Sequence, residues 1–112
     1  MSQLTFYGLK SCDTCRKAQK ELAAGGVAYE VRDVRADGVP REVLARWLDA
    51  VGDTVLVNRK STTWRGLSET DKASDALDLL AANPTLIKRP VIEADGKVLV
   101  GWTADTKAAL GL

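Results

Sequence analysis

The first 34 residues constrain the architecture more than any other stretch. Leu4-Thr5-Phe6-Tyr7 reads as a short strand closed by Gly8. Ser11 through Cys12 supply the cap of a helix that begins near Asp13. Its Cys15, Ala18 and Leu22 fall at i, i+3 and i+7 on one face, and Gly25-Gly26 ends it. Val27 to Val34 reads as a second strand, with Val27, Tyr29, Val31 and Asp33 on one side. A strand, a helix and a strand joined this tightly form a β-α-β unit, with parallel strands and a right-handed crossover.

The remainder fits around that unit. A second helix is predicted from Pro40, a favoured first-turn residue, to Gly52, with Val43, Leu44, Trp47, Leu48 and Val51 as its apolar stripe. Asp53 to Leu67 is polar and weakly periodic, a mixture of loop and short helix. Ser68 to Ala82 reads as helix again, carried by Leu77, Leu79 and Leu80 and stopped by Asn83-Pro84. Pro90-Val91-Ile92-Glu93 and Lys97-Val98-Leu99-Val100 flank Asp95-Gly96, a hairpin signal, and a final helix runs from Ala104 to Leu110. The order β-α-β, helices, β-β-α is that of an α/β thioredoxin-like fold. Its mixed four-stranded sheet is flanked by helices, and a helical insertion, about residues 38–84, separates the two halves. A chain of 112 residues with 46% hydrophobic content fits a single domain spanning 1–112.

Composition removes several classes of function. Sixteen basic against 15 acidic residues leave a net charge of +1, which argues against a dedicated nucleic-acid or membrane-surface binder. The sequence has no histidine, which rules out a Cys-His protease mechanism, an HExxH metalloprotease and a Cys2His2 finger. One cysteine pair cannot close a tetrahedral zinc shell alone, so no metal site is expected. The N-terminus lacks signal-peptide features and no apolar run is long enough to span a bilayer, so a cytoplasmic location is expected. In that setting, two cysteines at x-x spacing beside a strand-to-helix pattern point to redox use.

Cys12 sits where the first strand turns into the first helix. Unpaired backbone N–H groups and the positive end of the helix dipole stabilise an anion there. A thiolate is an anion, so the Cys12 pKa is expected to fall, toward the ~3.5–7.5 range of such sites. Lys10, Arg16 and Lys17 add positive charge nearby and Asp13 opposes it. Cys15, one turn later, reaches Cys12 but faces the core. The natural roles are Cys12 as nucleophile and Cys15 as resolving thiol. The competing description, two small buried hydrophobes, suits Cys15 better than Cys12.

The run Phe6-Tyr7-Gly8-Leu9-Lys10-Ser11-Cys12-Asp13-Thr14-Cys15-Arg16-Lys17-Ala18 resembles the arsenate reductase-like (ArsC) family, in its YffB and Spx branches. Three further blocks continue the likeness along the chain: Leu56-Val57-Asn58-Arg59 with Thr62-Thr63-Trp64-Arg65-Gly66-Leu67, then Asn83 through Val91, then Val100-Gly101-Trp102. The nearer likeness is to YffB-type proteins.

The resemblance implies that Cys12 is the nucleophile and that Arg59 and Arg89 match two of three oxyanion-holding arginines. A guanidinium can bind an oxyanion bidentately or steady a thiolate. It also implies a cis Arg89-Pro90 bond facing the active cysteine. Gly101-Trp102 stands where arsenate reductases carry the third arginine, which weakens the case for arsenate. What remains is reduction of a disulfide or glutathione mixed disulfide. No bound cofactor is expected; glutathione is the expected co-substrate, its carboxylates meeting Arg59, Lys88 and Arg89, with Lys10 and Pro90 beside the thiol. The alternative is an Spx-like regulator that docks on RNA polymerase through the helical insertion, with Cys12–Cys15 as its oxidation switch. Trp64 and Trp102 are candidates to line the cleft, though packing is the favoured role for each. Nothing in the sequence demands more than a monomer.

Overall fold

Alternation in the first strand decides which face of the sheet is covered. In the computed structural model, which describes residues 4–112, Leu4, Phe6 and Gly8 of β1 (Leu4–Gly8) are buried on one face. β1 pairs in parallel with β2 (Tyr29–Asp33) and antiparallel with β3 (Val91–Ala94). β4 (Lys97–Val100) completes the sheet in the order β2-β1-β3-β4. The turn between β3 and β4 has Asp95 at φ 51° and Gly96 at φ 77°, the left-handed pair that lets a two-residue hairpin follow the strand twist. This is the mixed thioredoxin-like sheet that the element order predicts.

Helix α1 (Asp13–Ala24) lays Cys15, Ala18 and Leu22 on Leu4, Phe6 and Ile92. Each large apolar side chain buried here contributes about 1.5–3 kcal/mol. The helix closes in a Schellman motif. Gly26, at φ 70°, donates to the Ala23 carbonyl at 3.1 Å, and Val27 donates to the Leu22 carbonyl at 3.0 Å. The Val27 N–H is thereby committed to the helix end. For that reason β2 begins at Tyr29, not at Val27 as the apolar pattern predicts. Val31 also departs from expectation: it is 48% exposed, because β2 is an edge strand with no neighbour on its outer side. Helix α7 (Ala104–Ala109) packs on the same core through Leu110. It is tied to α1 where Trp102 Nε1 and Lys107 Nζ both reach the Glu21 carboxylate.

These elements form one compact unit, which runs up to Asp33 and resumes from Arg89 to Leu112; a second unit is Val34–Lys88. In the second, Pro40 opens α2 (Arg41–Val51), which buries Leu44 and Trp47. Gly52, at φ 81°, ends it. The polar stretch that follows holds α3 (Asp53–Leu56) and α4 (Thr62–Arg65). The expected helix over Ser68–Ala82 is two, α5 (Glu69–Lys72) and α6 (Ala76–Ala82). The Ser68 hydroxyl caps the first of them, and the Ser74 hydroxyl donates to the Thr70 carbonyl at the break. Small polar side chains at Ser74 and Asp75 compete for backbone groups and interrupt a helix that apolar spacing alone would continue. Leu79 and Leu80 of α6 join Leu44, Trp47, Leu56, Leu86 and Ile87 among the buried residues of this unit. Among the described residues no helix is long and apolar enough to cross a membrane.

Candidate active site

Cys12 is the N-cap of α1, with extended backbone at φ −87° and ψ 118°. The turn after β1 sets this conformation. Its close is the Cys12 N–H donating to the Leu9 carbonyl at 3.0 Å, and the Cys12 carbonyl accepts the first helical bond from Arg16 at 3.1 Å. The Lys10 N–H donates to a carboxylate oxygen of Asp33 at 3.3 Å, so the turn is pinned to the end of β2. Asp33 is one of few buried polar residues, and the hydrophobic pattern assigned it no role in the site.

The Cys12 sulfur is half-buried. Burial by itself raises its pKa. The Cys15 backbone N–H, the Cys15 thiol and the Arg89 guanidinium outweigh that effect, and the Cys12 thiol lies below its ordinary value. The neutral thiol makes no capping hydrogen bond. These donors act on the thiolate, which occupies the place an oxygen takes in an ordinary N-cap. The guanidinium that acts on the thiol is thus Arg89; Arg16 is turned to Asp13, at 2.7 Å.

Cys15 is its opposite. It is fully buried, and burial pushes its thiol up to about 12; a hydrogen bond from the Leu9 backbone opposes this and the neighbouring Cys12 reinforces it. Both cysteines are free thiols. Gly8 allows Cys15 to sit against β1. A Cβ on Gly8 would lie 3.0 Å from the Cys15 sulfur and 2.8 Å from a ring carbon of Phe6.

The Arg89-Pro90 peptide bond is cis and Pro90 is fully buried. The Pro90 carbonyl accepts a hydrogen bond from the Gly101 N–H at 2.8 Å. Gly101 adopts φ 82°, a conformation an arginine at the same position would reach only with strain.

The structure therefore brings Cys12, Cys15 and Arg89 together, with Pro90 following Arg89 through the cis bond and Lys10 exposed on the turn before Cys12. Arg59 and Lys88 belong to the Val34–Lys88 unit, where Lys88 is exposed. Arg59 pairs with Asp53 at 3.2 Å and its guanidinium lies 5.4 Å from the Trp64 ring centre; the Lys88 N–H donates to the Leu56 carbonyl at 2.8 Å. Trp64 is flanked by Lys72 as well, at 5.5 Å. Trp102 is held at Glu21, nine residues along α1 from Cys12, or ~13 Å at the helical rise. It packs α7 on α1. Sequence reasoning missed Gly8 and Asp33. The signal for Gly8 was a residue without a side chain immediately before the cysteine turn; Asp33 had none beyond its place at a strand end.

Residues 7–110 match the model of the ArsC family. An uncharacterized protein of Haemophilus influenzae is 48% identical, over 88% of this chain and 90% of its own length. The solved structure of a YFFB protein superposes with a TM-score of 0.89 at 43% identity, covering 95% of this chain and 96% of that one. The solution structure of an arsenate reductase (ArsC) related protein from Brucella melitensis gives a TM-score of 0.76 at 38% identity, over 98% and 96% of the two chains. The global transcriptional regulator Spx of Streptococcus pyogenes is 27% identical over 91% of this chain and 80% of its own.

Proposed function

The chain belongs to the ArsC family, and on that premise we propose that it is a glutathione-linked thiol oxidoreductase whose nucleophile is Cys12. The observation that carries this reading is the divergence of its two thiols. Cys12 is accessible and lies below its ordinary pKa, whereas Cys15 is buried and raised to about 12. Attack on a disulfide depends on the thiolate fraction of the attacking group and on access to it, and both select Cys12.

The Cys12 thiolate attacks one sulfur of a glutathione mixed disulfide. The S–S bond breaks, the other sulfur leaves as a thiolate and takes a proton, and Cys12 is left joined to glutathione. A second glutathione thiolate attacks that glutathione sulfur, releasing oxidised glutathione and restoring the Cys12 thiolate. Burial keeps Cys15 protonated, so an external thiol resolves the intermediate faster than Cys15 does. In this scheme Arg89 steadies the thiolate in the resting enzyme, and Lys10 and Pro90 border the space the substrate enters. Arsenate is the less favoured oxidant, because Gly101 replaces the third oxyanion ligand.

One observation favours a second reading. Cys12 and Cys15 lie within interaction distance as free thiols, and a relative named as a transcriptional regulator matches 91% of the chain. In that reading the cysteine pair is an oxidation switch and the Val34–Lys88 unit meets RNA polymerase.

The test is ultraviolet titration of the thiolate in wild type, Cys12→Ser and Cys15→Ser, followed by glutathione-coupled reduction of a mixed disulfide and of arsenate. A depressed Cys12 pKa, with turnover abolished in Cys12→Ser and retained in Cys15→Ser, supports the reductase. An ordinary pKa of about 8.5 without turnover of either substrate removes it. A polymerase-binding assay on the oxidised and reduced protein then decides the second reading.

A further inference from the structure

Beside α1 and away from its buried face runs a groove of about 590 Å³, lined by Arg16, Lys17, Gln19, Lys20, Ala23 and Tyr29. Helical periodicity explains its make-up. Residues 16, 19, 20 and 23 share the flank of α1 that looks toward edge strand β2, and Tyr29 supplies the opposite wall. The Tyr29 hydroxyl donates to the Gln19 carbonyl at 3.4 Å, and its ring lies 6.1 Å from that of Phe6. The floor is therefore apolar and fixed. Val31, 48% exposed, follows two residues along β2 on the same face as Tyr29. Because β1 and β2 are parallel, this direction leads to the sheet end from which the Cys12 turn departs. Arg16, at the near end of the groove, is one helical turn from Cys12.

The rim is cationic in a chain of nearly balanced charge. Arg16 and Arg32 are compensated by Asp13 and Glu30 at 2.7 and 2.6 Å. Glu21, the acidic residue that Lys17 influences, is turned to Trp102 and Lys107. Lys17 and Lys20 are left facing solvent. An apolar floor, a basic rim and an edge strand fit an extended acidic polypeptide, which can add main-chain contacts along β2 while its carboxylates meet the lysines. A polyphosphate backbone fits less well, since the cations are few and the wall beside them is a strand edge.

We propose that this groove is the docking site for an acidic polypeptide, and that the disulfide Cys12 reduces is a glutathione adduct on a cysteine of such a chain. The substrate class rests on the reductase reading; the docking surface stands apart from it. The chemistry balances. The Cys12 thiolate displaces the polypeptide's cysteine, which leaves with a proton from water, and a further glutathione regenerates Cys12 as oxidised glutathione forms.

Two synthetic peptides test it, each carrying one glutathionylated cysteine, flanked in one by glutamates and in the other by lysines. Hydroxyethyl disulfide serves as a small neutral control, and the double variant Gln19→Glu/Lys20→Glu inverts the local charge without touching the Cys12 turn. Expected is a preference of about tenfold in kcat/KM for the acidic peptide, typical of electrostatic steering and reduced by added salt. The double variant should lose it and keep its rate on the control. Equal turnover of both peptides beside normal turnover of the control overturns the groove and leaves the reductase reading standing. Should no substrate be turned over, the reductase reading fails, and fluorescence anisotropy of the labelled acidic peptide on Cys12→Ser protein judges the groove. Binding weakened by the double variant supports it. Absence of binding, or tighter binding of an oligothymidylate, overturns it.

Discussion

Substitution of Gly8 by alanine tests the packing that seats Cys15 against β1. The added Cβ would meet Phe6 Cε1 at 2.8 Å and the Cys15 sulfur at 3.0 Å, well inside van der Waals separation. Neither neighbour can swing into solvent, since Phe6 and Cys15 are both fully buried. Nor can the backbone yield easily, because β1 is a central strand paired on both sides. Gly8 does not occupy the positive-φ region, so the penalty is steric alone. Overpacking of this kind costs about 1–3 kcal/mol. Loss of glycine's freedom in the unfolded chain offsets about 0.4–1 kcal/mol of that, leaving about 1–2 kcal/mol of destabilisation. In a chain of this size that lowers Tm by about 4–8 °C, measurable by circular dichroism. A Phe6→Leu background removes the ring carbon at 2.8 Å, and the double-mutant cycle should show a coupling of about 1 kcal/mol between the positions. If Gly8→Ala is as stable as wild type, and its coupling to Phe6 is nil, the close approach of β1 to Cys15 is refuted.

Three further outcomes are expected. Arg89→Gln removes the guanidinium that favours the Cys12 thiolate, so the Cys12 pKa rises; the pH–rate profile should shift to the alkaline side, with lost activity regained at higher pH. Chemical denaturation against pH should show two opposed slopes. Cys12 is depressed in the folded state, so its contribution is present above its unfolded pKa and is lost as pH falls through the folded value. Cys15 is raised, so its contribution is present below the unfolded pKa and is lost as pH climbs toward about 12. Cys12→Ser should flatten the first slope and Cys15→Ala the second. Within the Val34–Lys88 unit, the Ser61 hydroxyl accepts the Trp64 N–H at 3.1 Å, and Ser61→Ala should cost about 1 kcal/mol by thermal denaturation without moving the Cys12 pKa.

Much of this was legible in the linear chain because the signals are local. Cys15, Ala18 and Leu22 share a face through helical periodicity alone, and Asp95-Gly96 specifies its turn through the backbone freedom of two residues. Cys12 is placed at a helix start by the strand and helix on either side of it. The N-terminal location is enough to foretell a lowered pKa, since orphan N–H groups belong to every helix start. Legibility failed where an outcome hangs on competition. Val27 has the apolar character of a strand residue, but its N–H is taken by the end of α1. Residues 68–82 have the leucines of one helix, but Ser74 and Asp75 break it.

The sequence by itself determined the order of the strands, the parallel pairing of β1 with β2 and the β3–β4 hairpin, and it singled out Cys12 as the candidate nucleophile. The hairpin turn and the helix start follow from residues a few positions apart and the short crossover sets the parallel pair, whereas β1 meets β3 across most of the chain. Only the tertiary structure decided which cation serves the thiol. Lys10, Arg16 and Lys17 are near Cys12 in sequence, yet the guanidinium that acts on it comes from Arg89, across the sheet. Electrostatic influence depends on distance through space and on desolvation, and only folding sets either one. The same holds for Cys15, whose raised pKa comes first from burial among residues drawn from β1, α1 and β3.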